Sequence, residues 1–355
     1  AYTAPSGFKA LCTANLPTPT IEDGSMVMDV KLYTGNGSTQ TISGLNFSPD
    51  LVWIKTRSAA ANHRLLDTIR GATKELYANL TNAEGTDANG LTAFNSDGFS
   101  LGNSSGYNDN AVTHVAWTWD AGSSTVTNTQ GSITSQVRAN ASAGFSVVTF
   151  NSGSNGIKSA GHGLGNTPSL LIFKERTAAG SWIVYHRTLA TNKYLVLNGT
   201  NAELTSTNDI WGGSGSPPTS TTFSFKTGEI CNSNADCVVY AFSPVAGYSS
   251  FGSFVASSTT SGQFVYLGFR ARWILIKATT AVTYGSWRLV DTARSPYNGV
   301  KYELYPNLAN AETDYGAGDW CDIVSNGFVL KQDFGAGTYI WAAFAENPFS
   351  LARAR

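Results

Sequence analysis

The feature that most limits what this chain can become is a stretch that occurs three times. Leu170-Leu171-Ile172-Phe173-Lys174 is an apolar run closed by a lysine, and Asn201-Ala202-Glu203 begins 27 residues after that lysine. Leu51-Val52-Trp53-Ile54-Lys55 leads to Asn82-Ala83-Glu84 at the same spacing, and Trp273-Ile274-Leu275-Ile276-Lys277 leads to Asn310-Ala311-Glu312 at 33. Ten residues before each lysine stands a leucine, Leu45, Leu164 or Leu267, and aromatic-rich segments close the copies at 115–119, 238–242 and 340–344. The lysine-to-lysine periods, 119 and 103 residues, have the size of whole small domains. A solenoid would repeat every 20–50 residues or so. Three tandem modules are expected.

Composition narrows the class. Aromatic residues at 12% supply enough apolar surface for several cores, while charged residues at 13% stand at about half the usual share. The net charge of −1 with no basic block disfavours nucleic acid as a partner. No apolar run reaches membrane-spanning length, so no membrane insertion is expected. Thirty-six glycines among abundant Ser, Thr and Asn describe short strands joined by tight turns. The one stretch that reads as a short helix is 65–80. Cys231 and Cys237 bracket a polar hairpin tip, a spacing compatible with a disulfide that the sequence alone does not decide. Cys12 and Cys321 read as ordinary thiols.

In chain order, residues 1–25 hold Pro5, Pro17 and Pro19 and read as an extended arm. Modules are expected at 26–120, 144–250 and 251–349, with a tail at 350–355. Between the first two, 121–143 is polar and reads either as a linker or as a strand docked on a neighbouring module; its Val, Ile and Thr content favours the strand. The four apolar residues before each lysine suit a buried strand, with the lysine emerging at its solvent end. In the segment 115–119, Val115, Trp117 and Trp119 share one face of a half-buried strand. The chain opens on Ala1 rather than methionine, which suggests processing or a piece of something longer.

Some strings carry resemblances. Ala1-Tyr2-Thr3-Ala4-Pro5-Ser6-Gly7-Phe8, running on to Asn15-Leu16-Pro17, resembles the last strand and exit of SPRY-type sandwich domains in tailed-phage proteins, which implies a SPRY-like domain upstream. Gly144-Phe145-Ser146-Val147-Val148-Thr149-Phe150 with His162-Gly163-Leu164-Gly165-Asn166-Thr167-Pro168 resembles a β-module found in tandem in tail-fibre and other virion proteins of marine and freshwater tailed phages. Phe251-Gly252-Ser253-Phe254 and Ala345-Glu346-Asn347-Pro348-Phe349 match that family too, though the first copy lacks the histidine. The likeness implies β-sandwich modules of jelly-roll or lectin type and a virion structural or host-recognition role. It implies no catalytic motif.

Glu84, Glu203 and Glu312 recur in every copy, which fits a structural side chain better than an acid or base of one active site. The histidines have no zinc-ligand spacing, no serine stands in a nucleophile elbow, and no metal or cofactor is expected. Asp67 with Arg70, and Asp291 with Arg294, either tie a loop or offer the arginine to a ligand carboxylate. Trp182, Trp287 and His63 hold equivalent positions and read as core or module contacts. Trp211, Trp320 and Tyr107 lie in polar loops, where aromatic rings suit sugar stacking. The expectation is an all-β, non-enzymatic virion component, a fibre or spike segment working as a homotrimer beside other virion proteins and contacting a host-surface glycan. A glycan depolymerase and a secreted adhesin or carbohydrate-binding module are the rivals.

Overall fold

A computed structural model describes residues 19–213, 217–257, 262–283, 285–316 and 318–346. The expected arm falls largely outside these residues, as does the tail. Every regular element described is a β-strand, apart from one 3-10 turn at Gly24–Met26. The stretch 65–80 is no exception. It forms the strands Arg64–Asp67 and Lys74–Tyr77, because Gly71 and Thr73 both take positive φ between them and bar a helical turn.

Three main antiparallel sheets carry a common order. In the first, the strands run Met28–Thr34, Thr113–Trp119, Leu51–Thr56, Arg64–Asp67, Lys74–Tyr77 and Gly85–Thr86. The second places Phe145–Asn151, Asp236–Phe242, Leu170–Glu175, Ile183–His186, Lys193–Val196 and Leu204–Thr205 in the same succession, and the third begins Ser249–Ala256, Gly337–Ala345, Ala271–Ala278, Arg288–Asp291. In each, the lysine-ended strand lies beside the closing strand, with Lys55 opposite Val115, Lys174 opposite Val238 and Lys277 opposite Ile340. A small second sheet accompanies each, such as Gln40–Ile42, Gly98–Leu101 and Leu91–Asn95 in the first. We call each large sheet with its small partner a unit.

The segment 121–143 forms strands Thr125–Asn128 and Ser135–Asn140, which extend the edge of the second sheet by pairing onto Phe145–Asn151. Arg138 on this added edge reaches back to the buried Asp50 of the first unit at 2.5 Å.

Both faces of the lysine-ended strands are covered. Leu51 and Trp53 join a core shared by all three sheets, whereas the alternate Val52 and Ile54 face the first unit's own core. Leu170 and Ile172 divide from Leu171 and Phe173 in the same way. In these two strands period-two alternation sends every other side chain to a different core, and in the third all of Trp273 to Ile276 join the shared core, so each run is apolar throughout. Lys55 shares the face of Leu51 and Trp53, so it points toward the other units. The expected solvent-facing lysine is therefore wrong: Lys55, Lys174 and Lys277 are all buried. The strand Thr113–Trp119 is likewise buried on both faces, not half-buried.

At the middle of the shared core, Trp119, Phe242 and Phe344 come together, one from the closing strand of each sheet. Their ring centroids are 6.2, 5.7 and 5.9 Å apart. Edge-to-face and tilted packing of this kind adds to the apolar area each ring removes from water. Truncating Trp119→Ala should cost about 3–5 kcal/mol and leave one cooperative unfolding transition in denaturant titration, because the core belongs to all three units. A loss below about 1 kcal/mol, the range of a peripheral site, or three separable wild-type transitions, would contradict this arrangement.

Candidate functional site

The polar groups singled out in the sequence gather at the seams between units. Each seam is built the same way. The ammonium of Lys174 in the second unit donates to Thr81 O of the first at 3.2 Å and to Glu175 O at 2.8 Å. Lys277 of the third unit donates to Thr200 O, Asn201 O and Gly285 O at 3.1, 2.7 and 2.6 Å, the first two belonging to the second unit. Lys55 of the first unit donates to Ala309 O of the third at 3.2 Å and to Thr56 O at 2.9 Å. First meets second, second meets third, and third meets first. The contacts close into a cycle.

The Asn-Ala-Glu loops are the other half of each seam. The Glu84, Glu203 and Glu312 amides donate to Arg176 O, Thr279 O and Arg57 O at 2.8, 2.9 and 2.8 Å. Side chains then differ. Glu84 takes two hydrogen bonds from Arg176 and one from Arg70, and Glu312 is held by Arg57 and Arg294. Where the other seams have arginine, the third unit has Thr279, and among the described residues Glu203 pairs with Lys193 of its own unit at 3.3 Å. At Gly285 a Cβ would stand 2.5 Å from Thr200 O, so the backbone approaches there too closely for a side chain.

Behind Glu84, the fully buried Arg70 binds Asp67 through Nε at 2.5 Å, and its Nη2 donates both to Leu65 O at 2.9 Å and to Tyr240 Oη of the second unit at 3.1 Å. Arg294 repeats this with Asp291 and Leu289 O, while Trp117 of the first unit donates to Asp291 at 2.9 Å. Every nitrogen of these buried guanidiniums has a protein partner, which removes the reading of an arginine offered to a ligand carboxylate. The equivalent ring positions also cross seams. Trp182 Nε1 donates to Tyr77 O and Trp287 Nε1 to Val196 O, both at 2.8 Å. His63 accepts from Trp53 Nε1 at 3.0 Å, and its other nitrogen faces the Tyr305 backbone without a well-formed hydrogen bond.

Burial sets the electrostatics. It pushes each of the three lysine ammoniums down to about 8. Burial, with Lys55 adding to it, also holds His63 well below the ordinary histidine value. For Glu84 burial works upward, but Arg176 and Arg70 outweigh it and hold the carboxyl below its usual range. Among the described residues no group of three or more His, Cys, Asp or Glu is placed to hold a metal ion, and no helix is long and apolar enough to cross a membrane.

The three aromatics proposed to stack on sugar do not present a face to solvent. Tyr107 is buried with its hydroxyl on Glu75 at 2.7 Å, Trp211 packs on Phe173 and Tyr185, and Trp320 lies against Phe334. Their loops fold back over the sheets, and large rings there remove more apolar area from water than a loop tip would. His162 serves its own turn, accepting from the Leu164 amide at 3.2 Å. Asn108 is a buried turn residue that donates to Gly102 O. Cys231 and Cys237 are joined in a disulfide, and Cys321 is a buried free thiol.

Fold and seams together define an all-β protein of antiparallel sheets locked around a shared aromatic core by buried ion pairs and lysine clamps. Residues 23–348 match the family described as "Domain of unknown function (DUF7483)", and the chain belongs to that family. No curated protein matches it.

Two outcomes follow from the seams. Glu84→Gln and Glu312→Gln should each cost about 1.5–3 kcal/mol in chemical denaturation, the range for hydrogen bonds to charged groups, since Arg70 and Arg294 keep Asp67 and Asp291. Glu203→Gln, which loses one half-exposed pair, should cost less than about 1 kcal/mol; equal losses at all three would contradict the assignment. For the lysines, both folded and unfolded chains are charged below pH 8. Above it the unfolded chain binds more protons, so the lysine contribution to stability rises with pH toward the unfolded value of 10.5. Wild type should therefore gain in melting temperature over Lys174→Met between neutral pH and pH 10, since Thr81 O keeps the Gly180 amide in that variant. A difference that falls would overturn the sign.

Proposed function

We propose that this chain is a non-enzymatic structural component of a tailed-phage particle, a fibre or spike segment whose three units are copies of one module. The observation that carries the reading is where the reactive side chains go. Glu84, Glu312, Asp67 and Asp291 are tied to arginines, and all three lysines are clamped on carbonyls, so the recurring polar groups hold units together instead of facing a cleft. A rigid, low-charge β scaffold suits an extracellular display role, and the strings at 144–150, 162–168 and 251–254 supply the likeness to virion proteins.

On this reading the chain is assembled in the bacterial cytoplasm and resides on the virion, beside other virion proteins, with a host-surface glycan as its outward partner. A homotrimer is the assembly the likeness implies. The segment 121–143 pairs within its own sheet and gives no reason for a neighbouring subunit, so the trimer rests on the N-terminal arm. Gold-labelled antibody to this chain should decorate tail fibres or spikes of purified particles. Labelling of the bacterial surface alone would favour a secreted adhesin. Release of reducing sugar from host polysaccharide by the purified chain would favour the depolymerase.

A further inference from the structure

The same position in each unit, between the strand after the lysine and the one that follows it, is filled differently. In the first unit Arg64 lies opposite Tyr77, and its Nε is 3.5 Å from Glu75. Glu75 accepts from Tyr77 Oη at 2.5 Å and from Tyr107 Oη at 2.7 Å, and the guanidinium stacks 4.6 Å over the Tyr107 ring. The third unit repeats the plug: Arg288 is 3.1 Å from Glu303, which accepts from Tyr315 Oη at 2.6 Å, with Phe334 beneath the guanidinium. In the second unit the register puts Ile183, Tyr194 and Val196 where the first has Arg64, Glu75 and Tyr77. The plug is gone, and a cavity of about 570 Å³ lies there; the equivalent pocket of the third unit, about 490 Å³, has Arg288 and no carboxylate in its lining.

That cavity has its own chemistry. Ile183, Val196 and Ile230 give it an apolar floor, and Tyr194 an aromatic wall. Glu175 enters it from directly after Lys174, at the position held by Thr56 and Ala278 in the other units. This carboxylate is 4% exposed and has no ion pair among the described residues. Neutral donors fix it instead: the Asn232 amide at 2.9 Å, Asn232 Nδ2 at 3.0 Å and Thr177 Oγ1 at 3.3 Å. Glu229 on the rim is held by Asn208 Nδ2 at 2.6 Å, and the Cys231–Cys237 disulfide ties the rim loop to the sheet. The Lys174 ammonium lies near but makes no salt bridge with it, and a buried carboxylate held so costs stability; the other two units have none at this position.

We infer that this cavity binds a neutral pyranose unit of a glycan. Ring hydroxyls would donate to Glu175, Glu229 and the amide oxygens of Asn198 and Asn201, while the C–H face of the sugar lies on Tyr194. Two carboxylates with no basic side chain in the lining exclude uronic acids, sialic acids and phosphate. The inference rests on the virion reading only for the source of the sugar.

Ligand-observed NMR and calorimetry on the full chain would test it, with methyl glucoside, methyl mannoside, methyl galactoside and N-acetylglucosamine as probes and glucuronate and inorganic phosphate as anionic controls. At least one neutral probe should bind saturably and the anions should not. Glu175→Gln and Tyr194→Ala should each weaken binding about tenfold, the loss of one charge-assisted hydrogen bond or one stacked ring. The combined Ile183→Arg, Tyr194→Glu, Val196→Tyr variant, which rebuilds the plug of the first unit, should abolish binding while keeping a cooperative melt. Neutral-sugar binding that survives in a folded plugged variant would overturn the site, as would no neutral binding or preferred binding of glucuronate. None of these results bears on gold labelling of particles, so the pocket and the virion reading fail separately.

Discussion

The meeting of Trp119, Phe242 and Phe344 is the contact on which the remaining architecture depends. Each ring sits on the closing strand of its sheet, and that strand is hydrogen-bonded to the lysine-ended strand beside it. Bringing three closing strands to one place buries the inner faces of three sheets together. It also leaves the ends of the lysine-ended strands facing a neighbouring unit instead of water. The lysines can then stay only if that neighbour supplies acceptors, and the carbonyls of residues 81, 200, 201 and 309 do so. The buried Asp–Arg–Glu groups obey the same constraint. A guanidinium such as Arg70, removed from water, needs every donor satisfied, and part of its satisfaction comes from Tyr240 across the seam.

Much of this is legible in the sequence, and the limits are physical. The repeated apolar run followed by lysine marked the central strand of each sheet, because continuous apolarity over four residues signals burial on both faces. The strand content of 121–143 was readable from its Val and Ile positions, and the Asp67–Arg70 spacing already suggested a tie within a loop. What the sequence concealed was which surface each landmark meets. Lys55 looks like a strand end reaching solvent, since nothing local says that Ala309 will cover it from 254 residues away. Trp211 and Trp320 misled for a related reason. A tryptophan among polar loop residues has the same local signature whether the loop projects or folds down over a sheet. Tyr194 gave no signal until the register aligned it with Glu75 and Glu303.

Differences among the units follow from the same ring. Arginine at 57 and 176 meets a glutamate of the adjacent unit, whereas Thr279 leaves the seam between the second and third units to backbone hydrogen bonds, the lysine clamp and the Trp287 Nε1 hydrogen bond. The second unit is also the one without the Arg–Glu–Tyr plug and the one with a disulfide-anchored rim. The third unit keeps a pocket of about 490 Å³ at the equivalent place, but Arg288 lines it, whereas Glu175 and Tyr194 line that of the second unit.

Closure of the cycle, third unit onto first, is the central claim and admits a direct measurement. The Ala61 amide donates to Ala309 O at 2.8 Å although the two residues are far apart in sequence. Cysteines placed at both positions, Ala61→Cys with Ala309→Cys, should cross-link under mild oxidation within a single chain. They should do so as readily as Thr41→Cys with Ser100→Cys, a cross-strand pair inside the first unit, with peptide mass mapping as the readout. Cross-linking of the control pair alone would mean that the first and third units do not meet, and the closed arrangement would be wrong.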